Sequence, residues 1–245
     1  MLLPEHYMKS SDGRLIHALD ASIKIPDFAS FIHTQFKASV MSPQFPCSGA
    51  KTAFSQETYR YGVFKTLGSK EAAIGLLKAI SCFIEERKTI GGEFHTFIAS
   101  FTEATPANQP HFTELLWKQL QHIHDQDTQE WDVRVSSDPS SPEFSFSIAG
   151  SAFFVIGMHA TSPRWARRFM WPTLVFNPHD QFEKLREKGD FEKFKQIVRK
   201  RDFNLQGSIN PVLEDFGKAL EANQYSGELL GHDWKCPFSA KSKLN

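Results

Sequence analysis

The sequence predicts an α+β fold: a single compact domain in which a mixed sheet carries several flanking helices. Three observations predict it. Stretches with helical spacing and stretches of strand character alternate irregularly along the 245 residues, without the strict βαβ rhythm of a doubly wound sheet. Apolar residues make up 40% of the chain and Phe alone contributes 23, which supplies a bulky core. No internal repeat or low-complexity tract divides the chain, so residues 21–240 are expected to form the domain and residues 1–20 a loose N-terminal arm.

In order, Phe28, Phe31, Ile32 and Phe36 recur at helical offsets, with Pro26 near the start where proline is tolerated. QFPCSGAKTAFSQETYRYGVF is interrupted by small polar residues and ends in alternating aromatics, which predicts a loop leading into a strand. Ser69 caps a helix to about Lys88 with Ile74, Leu77, Ile80 and Ile84 on one stripe, and Gly91-Gly92 stops it. EFHTFIASF alternates as a strand does. Leu115, Leu116, Leu120 and Ile123 mark a helix from His111 to Asp127, and SSDPSSPE is a loop. FSFSIAG and SAFFVIGMH read as two strands, and PTLVFNP as a short buried one. Asn177-Pro178 opens a helix to about Lys188, Asp190 caps another to about Lys200, LQGSINP turns, and EDFGKALEA is a further helical stretch.

Composition excludes several classes of function. Lys+Arg and Asp+Glu both number 28, so no net charge draws the chain to nucleic acid or to an anionic membrane. No run approaches the about 18 apolar residues of a membrane span, and the N-terminus lacks the apolar core of a signal peptide. Cys47, Cys82 and Cys236 are too few for a disulfide framework and include no CxxC pair, so a cytoplasmic protein is expected. GxxxxGK[ST], GxGxxG, HExxH and GxSxG are absent, and Asp215-Phe216-Gly217 lacks every companion of the kinase triplet it spells.

The segment IGMHATSPRWARR is the densest in chemistry. His159 follows a buried-type strand, where an imidazole can be offered to a metal. Ser162-Pro163 then predicts a helix that puts Arg164 and Arg168 on one face, with Arg167 close by, as a carboxylate clamp. The same residues also suit an ordinary hydrogen-bonded histidine and a solvated helix. His179 falls in the first turn of its helix, where the dipole favours the neutral imidazole that ligates metals. Cys47 in FPCSG and Cys236 in WKCPF are loop thiols of the kind that can hold heme iron, and equally of the kind that pack in a core. His111 and His122 share a helix face and offer a less specific metal pair.

SSDPSSPEFSFSIAGSAFFVIGMHATSPRWARRF, PTLVFNPHDQFEKLREKGDFEKFKQIVRKRD, LQGSINPVLEDFG, QYSG and WKCPF, with FPC and LLWKQLQHIHDQD upstream, resemble the YqcI/YcgG family from about Pro46 to Phe238. Characterised relatives are heme-dependent N-hydroxylases acting on arginine or on a cyclic guanidine, in routes to D-cycloserine and guanitoxin. The resemblance implies heme b, O2 or peroxide as co-substrate, and a small amine or guanidine as the molecule oxidised. The chain carries no flavin or nicotinamide module, so an external reductase or other electron donor is expected. His159, in the GMH-x-x-SPR-x-ARR segment, is the expected iron ligand, with Cys236 and then His179 as rivals, and Arg164 and Arg168 are the expected propionate partners. Asp180, Asp202, Glu214 or Asp215 would face a cationic substrate, with Asn210 or Gln206 hydrogen-bonding it. A heme carrier or sensor without turnover shares all these features. A hydrolase built on Cys47 or Cys236 is the third reading.

Overall fold

A computed structural model describes residues 5–103, 105–212, 214–231 and 233–241. Among them, seven strands form one mixed sheet in the order β2-β1-β3-β4-β7-β6-β5. The strands are β1 (Met8–Ser11), β2 (Arg14–His17), β3 (Tyr59–Thr66), β4 (Thr96–Glu103), β5 (Phe146–Ile148), β6 (Ser151–Met158) and β7 (Thr173–Pro178). β3 and β4 pair in parallel, and the other neighbours pair antiparallel. The six helices are α1 (Asp27–Met41), α2 (Ser48–Ser55), α3 (Lys70–Glu86), α4 (Gln109–Gln126), α5 (His179–Glu187) and α6 (Phe191–Gln206).

The parallel pair needs a crossover, and α3 supplies it, with the Ser69 hydroxyl accepting from Ala72 N–H at its start. Side-chain alternation then builds two cores. Phe97, Ala99, Phe101, Val155, Leu174 and Phe176 face α3 and α4. Ile98, Met158, Tyr59, Tyr61 and Val63 face α1 and α2. Gly157 in β6 lets α4 approach: a Cβ there would meet Phe112 at 2.5 Å and Leu116 at 2.8 Å. Gly157→Ala is therefore expected to cost about 1–3 kcal/mol through overpacking, read as a lowered urea midpoint at unchanged slope; an unchanged midpoint would refute the close approach.

Four expectations change. Much of the predicted N-terminal arm is ordered, because β1 and β2 form a hairpin through Asp12 and Gly13, both at positive φ, and extend the sheet. The loop before β3 contains α2, capped by the Cys47 thiol, which accepts from Ala50 N–H at 3.4 Å. The helix predicted after Ser162-Pro163 is a single 3-10 turn, Trp165–Arg167. EDFGKALEA is not α-helical, and only its last two residues enter a 3-10 turn, Glu221–Gln224.

Candidate functional site

On the α1 and α2 face of the sheet, a cavity of about 280 Å³ opens over β6 and β7. Phe154, Ile156, Met158, Val175 and Asn177 form its floor. Phe36 and Val40 of α1 and Cys47 and Ala50 at the start of α2 close one side. α5, α6 and the stretch from Ile209 to Gln224 close the other, with Phe182, Phe191, Phe194 and Phe216 turned inward. A predominantly apolar concavity with a few convergent polar groups is the usual form of a small-molecule site.

His179 is the histidine of this wall. It is the first residue of α5, directly after Pro178 ends β7, and it is 3% exposed. Its Nε2 is buried without a hydrogen-bond partner; Glu183 Oε1, one turn on, stands 3.7 Å away. Phe216 meets its ring edge-on at 4.4 Å between centroids. Burial, reinforced by Arg186 and Arg134, pulls the imidazole down to about 4, so it is neutral and carries a free lone pair at pH 7.

His159 lies outside the cavity wall, stacked on Phe112 of α4 at 4.3 Å. Both its ring nitrogens are engaged, Nε2 with Gln109 Oε1 at 2.8 Å and Nδ1 with Thr161 Oγ1 at 3.2 Å. Arg164 also stays outside. It is pinned to Asp202 at 2.6 Å, and to the Ser208 hydroxyl and carbonyl, tying the 3-10 turn to α6. Arg168 is exposed and donates to Ser162 C=O. Of the three arginines in this segment Arg167 reaches the cavity, whose wall also includes Arg186 and Arg199. Arg167 donates to the carbonyls of Tyr225 and Gln224 at 2.8 and 2.9 Å, and no carboxylate among the described residues is within ion-pair distance. Gly227 makes room for it, since a Cβ there would lie 2.8 Å from Arg167 Cδ. Burial pulls its guanidinium down to about 10, still a cation at pH 7.

Cys236 packs against the α3 and α4 core, and burial pushes its thiol up to about 12. Cys47 lines the cavity, with its thiol also pushed up by burial. Of the acidic candidates, Asp202, Glu214 and Asp215 line the cavity, whereas Asp180 pairs with Arg87 and Lys184. Asn210 is in the wall, and Gln206 instead accepts from Trp165 N–H. His111, Cys82 and His122 lie away from it, and no group of three metal-type side chains is gathered among the described residues.

One lining residue had no motif to betray it. Glu221 is 2% exposed, accepts the Tyr225 O–H at 2.6 Å, and is pushed up to about 8 by burial. The segment that carries it runs past the sheet edge: Gly157 N–H donates to Tyr225 C=O at 2.8 Å, beyond the end of the three-residue β5.

No helix among the described residues is long and apolar enough to cross a membrane. No solved structure matches this chain. It is similar to the uncharacterized protein YcgG of Bacillus subtilis (strain 168), 26% identical over 135 residues, which are 52% of this chain and 53% of that one. The chain thus spans about half the length of the curated relative it matches. A profile of the YqcI/YcgG family matches residues 36–239, which take in every lining residue of the cavity. The chain belongs to the YqcI/YcgG family.

Proposed function

We propose that the cavity over β6 and β7 binds heme b and that the protein hydroxylates a nitrogen of a small amine or guanidine. The observation that carries this reading is the buried, neutral, unpartnered imidazole of His179 in a phenylalanine-walled cavity. A buried nitrogen without a partner costs free energy unless something ligates it. The residues fit an iron porphyrin. His179 would hold the iron, Phe154, Phe182, Phe194 and Phe216 would pack on the macrocycle, and Arg167 would meet a propionate. In this reading His179 takes the role that the resemblance implied for His159, and Arg167 that of Arg164 and Arg168. Bound heme would supply activation of O2 or peroxide for oxygen transfer to nitrogen.

The chain's own groups do the rest. The apolar walls exclude water, and because Asp202 is held by Arg164 and Asp215 by Lys195 and Lys218, Glu214 is the lining carboxylate left to meet a guanidinium or ammonium. Arg167 keeps its charge at neutral pH and orients a carboxylate. Electrons come from a separate donor.

Adding hemin to the purified chain and recording the absorption spectrum tests the reading. A saturable Soret band is expected, followed by N-hydroxylated product in a panel of amines and guanidines once reductant and O2 are present. A chain that stays colourless with hemin overturns it. A Soret band with only slow autoxidation across the panel favours the carrier instead.

A further inference from the structure

We propose that Tyr225, Trp117 and Trp234 form a relay that carries single electrons between the protein surface and the cavity. The proposal rests on the functional reading above only for the oxidant that the cavity would hold.

These three side chains can each give up one electron, and they stand in a row. Tyr225 borders the cavity through two of its lining residues: Glu221 accepts its O–H at 2.6 Å, and Phe154 meets its ring at 5.8 Å. On its far side Tyr225 stacks on Trp117, 5.5 Å between centroids and 21° from parallel. Trp117 in turn lies 6.3 Å from Trp234. Exposure rises along the row, from 0% at Tyr225 and 1% at Trp117 to the half-buried Trp234. The sheet otherwise separates the cavity face from the α3 and α4 face, and Tyr225 joins them because its segment passes the edge beyond β5. Phe144 and Phe238, which pack around Tyr225 and Trp117, are far harder to oxidise and so insulate the row.

Each transfer balances. Above about pH 8, where Glu221 is ionised, a one-electron oxidant in the cavity, generated from O2 or peroxide, takes an electron from Tyr225 while the phenol proton crosses to the Glu221 carboxylate along their hydrogen bond. Trp117 returns the electron and Glu221 the proton. Trp234 then reduces Trp117, and a one-electron donor in solution, such as ascorbate, reduces Trp234. One electron moves from donor to oxidant, and the protein ends unchanged. Burial supports this role for Glu221, because a carboxylate of pKa about 8 is a better proton acceptor than an ordinary one. Ser145 and Arg186 are the other groups that bear on it.

All four tyrosines, Tyr7, Tyr59, Tyr61 and Tyr225, are fully buried, so an oxidant in solution reaches none of them directly. The test is photo-oxidation of the hemin-free chain by a ruthenium tris(bipyridine) complex with a cobalt(III) acceptor. It is run at about pH 9, where the Glu221 carboxyl is ionised, and read by electron paramagnetic resonance. A tyrosyl radical is expected that disappears in Tyr225→Phe. It should fall several-fold in Trp117→Phe and Trp234→Phe, which keep an aromatic ring, and persist in Trp165→Phe, which is off the row. A tyrosyl signal of full intensity in Trp234→Phe, a half-buried site whose replacement spares the core, overturns the relay. So does tryptophan oxidation with no tyrosyl radical. Hemin binding plays no part in this experiment, so failure of the relay and failure of the heme reading are told apart.

Discussion

Alanine at His179 is expected to lower hemin affinity at least about tenfold, equivalent to about 1.4 kcal/mol, and to displace the Soret band of what still binds. Added imidazole should restore part of the spectrum by occupying the space left. The fold should tolerate the change, because the Nε2 that is lost has no hydrogen-bond partner to orphan. His159→Ala should do the reverse. It leaves the Gln109 amide and the Thr161 hydroxyl without their partner and opens a gap beside Phe112, so it costs about 1–3 kcal/mol of stability with the Soret band in place. The reduced CO complex of the parent chain should report nitrogen ligation. If Cys47→Ala removes the band and His179→Ala spares it, the iron is held from the α2 side of the cavity instead.

The Glu221 contribution to stability should fall by about 2 kcal/mol between pH 6.5 and pH 8, and Glu221→Gln should remove that share of the slope. Burial raises the folded pKa of Glu221 to about 8 from an ordinary 4.5. The folded protein therefore keeps a proton that the unfolded chain has released. The stabilisation is complete below the unfolded value and is lost as pH rises through the folded one. His33, His159 and His179 act in the opposite sense. Burial lowers each to about 4 from 6.5, so their contribution is complete above 6.5 and is lost as pH falls toward 4. At pH 6.5 the unfolded imidazoles are still about half protonated, so the histidines offset part of that loss, and the difference between the parent chain and Glu221→Gln isolates the Glu221 share. Its remaining span of about 1.5 pH units, at 1.36 kcal/mol per unit, gives the expected loss. Glutamine keeps an acceptor for the Tyr225 hydroxyl but has no proton to release. Urea titrations at the two pH values check this, and an equal loss in Glu221→Gln would assign the slope to another group.

Much of the fold was legible because the periodicities are strong. The alternation of β4 and the apolar run of β6 carry their elements without help, and α3 forms where its period predicts, although its buried face is Ala72, Ala73, Leu76, Ala79, Ile80 and Phe83 and Ile74 of the predicted stripe is exposed. Elements that depend on distant partners were not legible. β1 and β2 are short and polar, and become strands because β3 offers an edge at Tyr61. α2 starts on a cysteine cap in a stretch too rich in small residues to show a stripe. The site was half legible. The sequence singled out His179, Cys47, Arg167 and Asp202, all of which meet in one cavity, but the resemblance put His159 first because it lies in the GMH-x-x-SPR-x-ARR segment. What separates the two histidines is the engagement of their ring nitrogens, a tertiary property that sequence spacing does not encode. Glu221 was invisible for a related reason, since its burial depends on how the chain brings Tyr225 and the distant Ser145 against it, which no motif encodes.

The floor of the cavity has a large core directly beneath it. Phe153, Val155, Leu174 and Phe176 point one way from the same strands whose Phe154, Ile156 and Val175 point the other. Changes to that platform are felt by the whole domain, so selection should hold it fixed. α5, α6 and the stretch from Ile209 to Gln224 supply most of the surrounding side chains while contributing little to either core. Relatives can therefore drift in what they accept by altering this outer rim alone, and a shared scaffold is compatible with divergent chemical preferences.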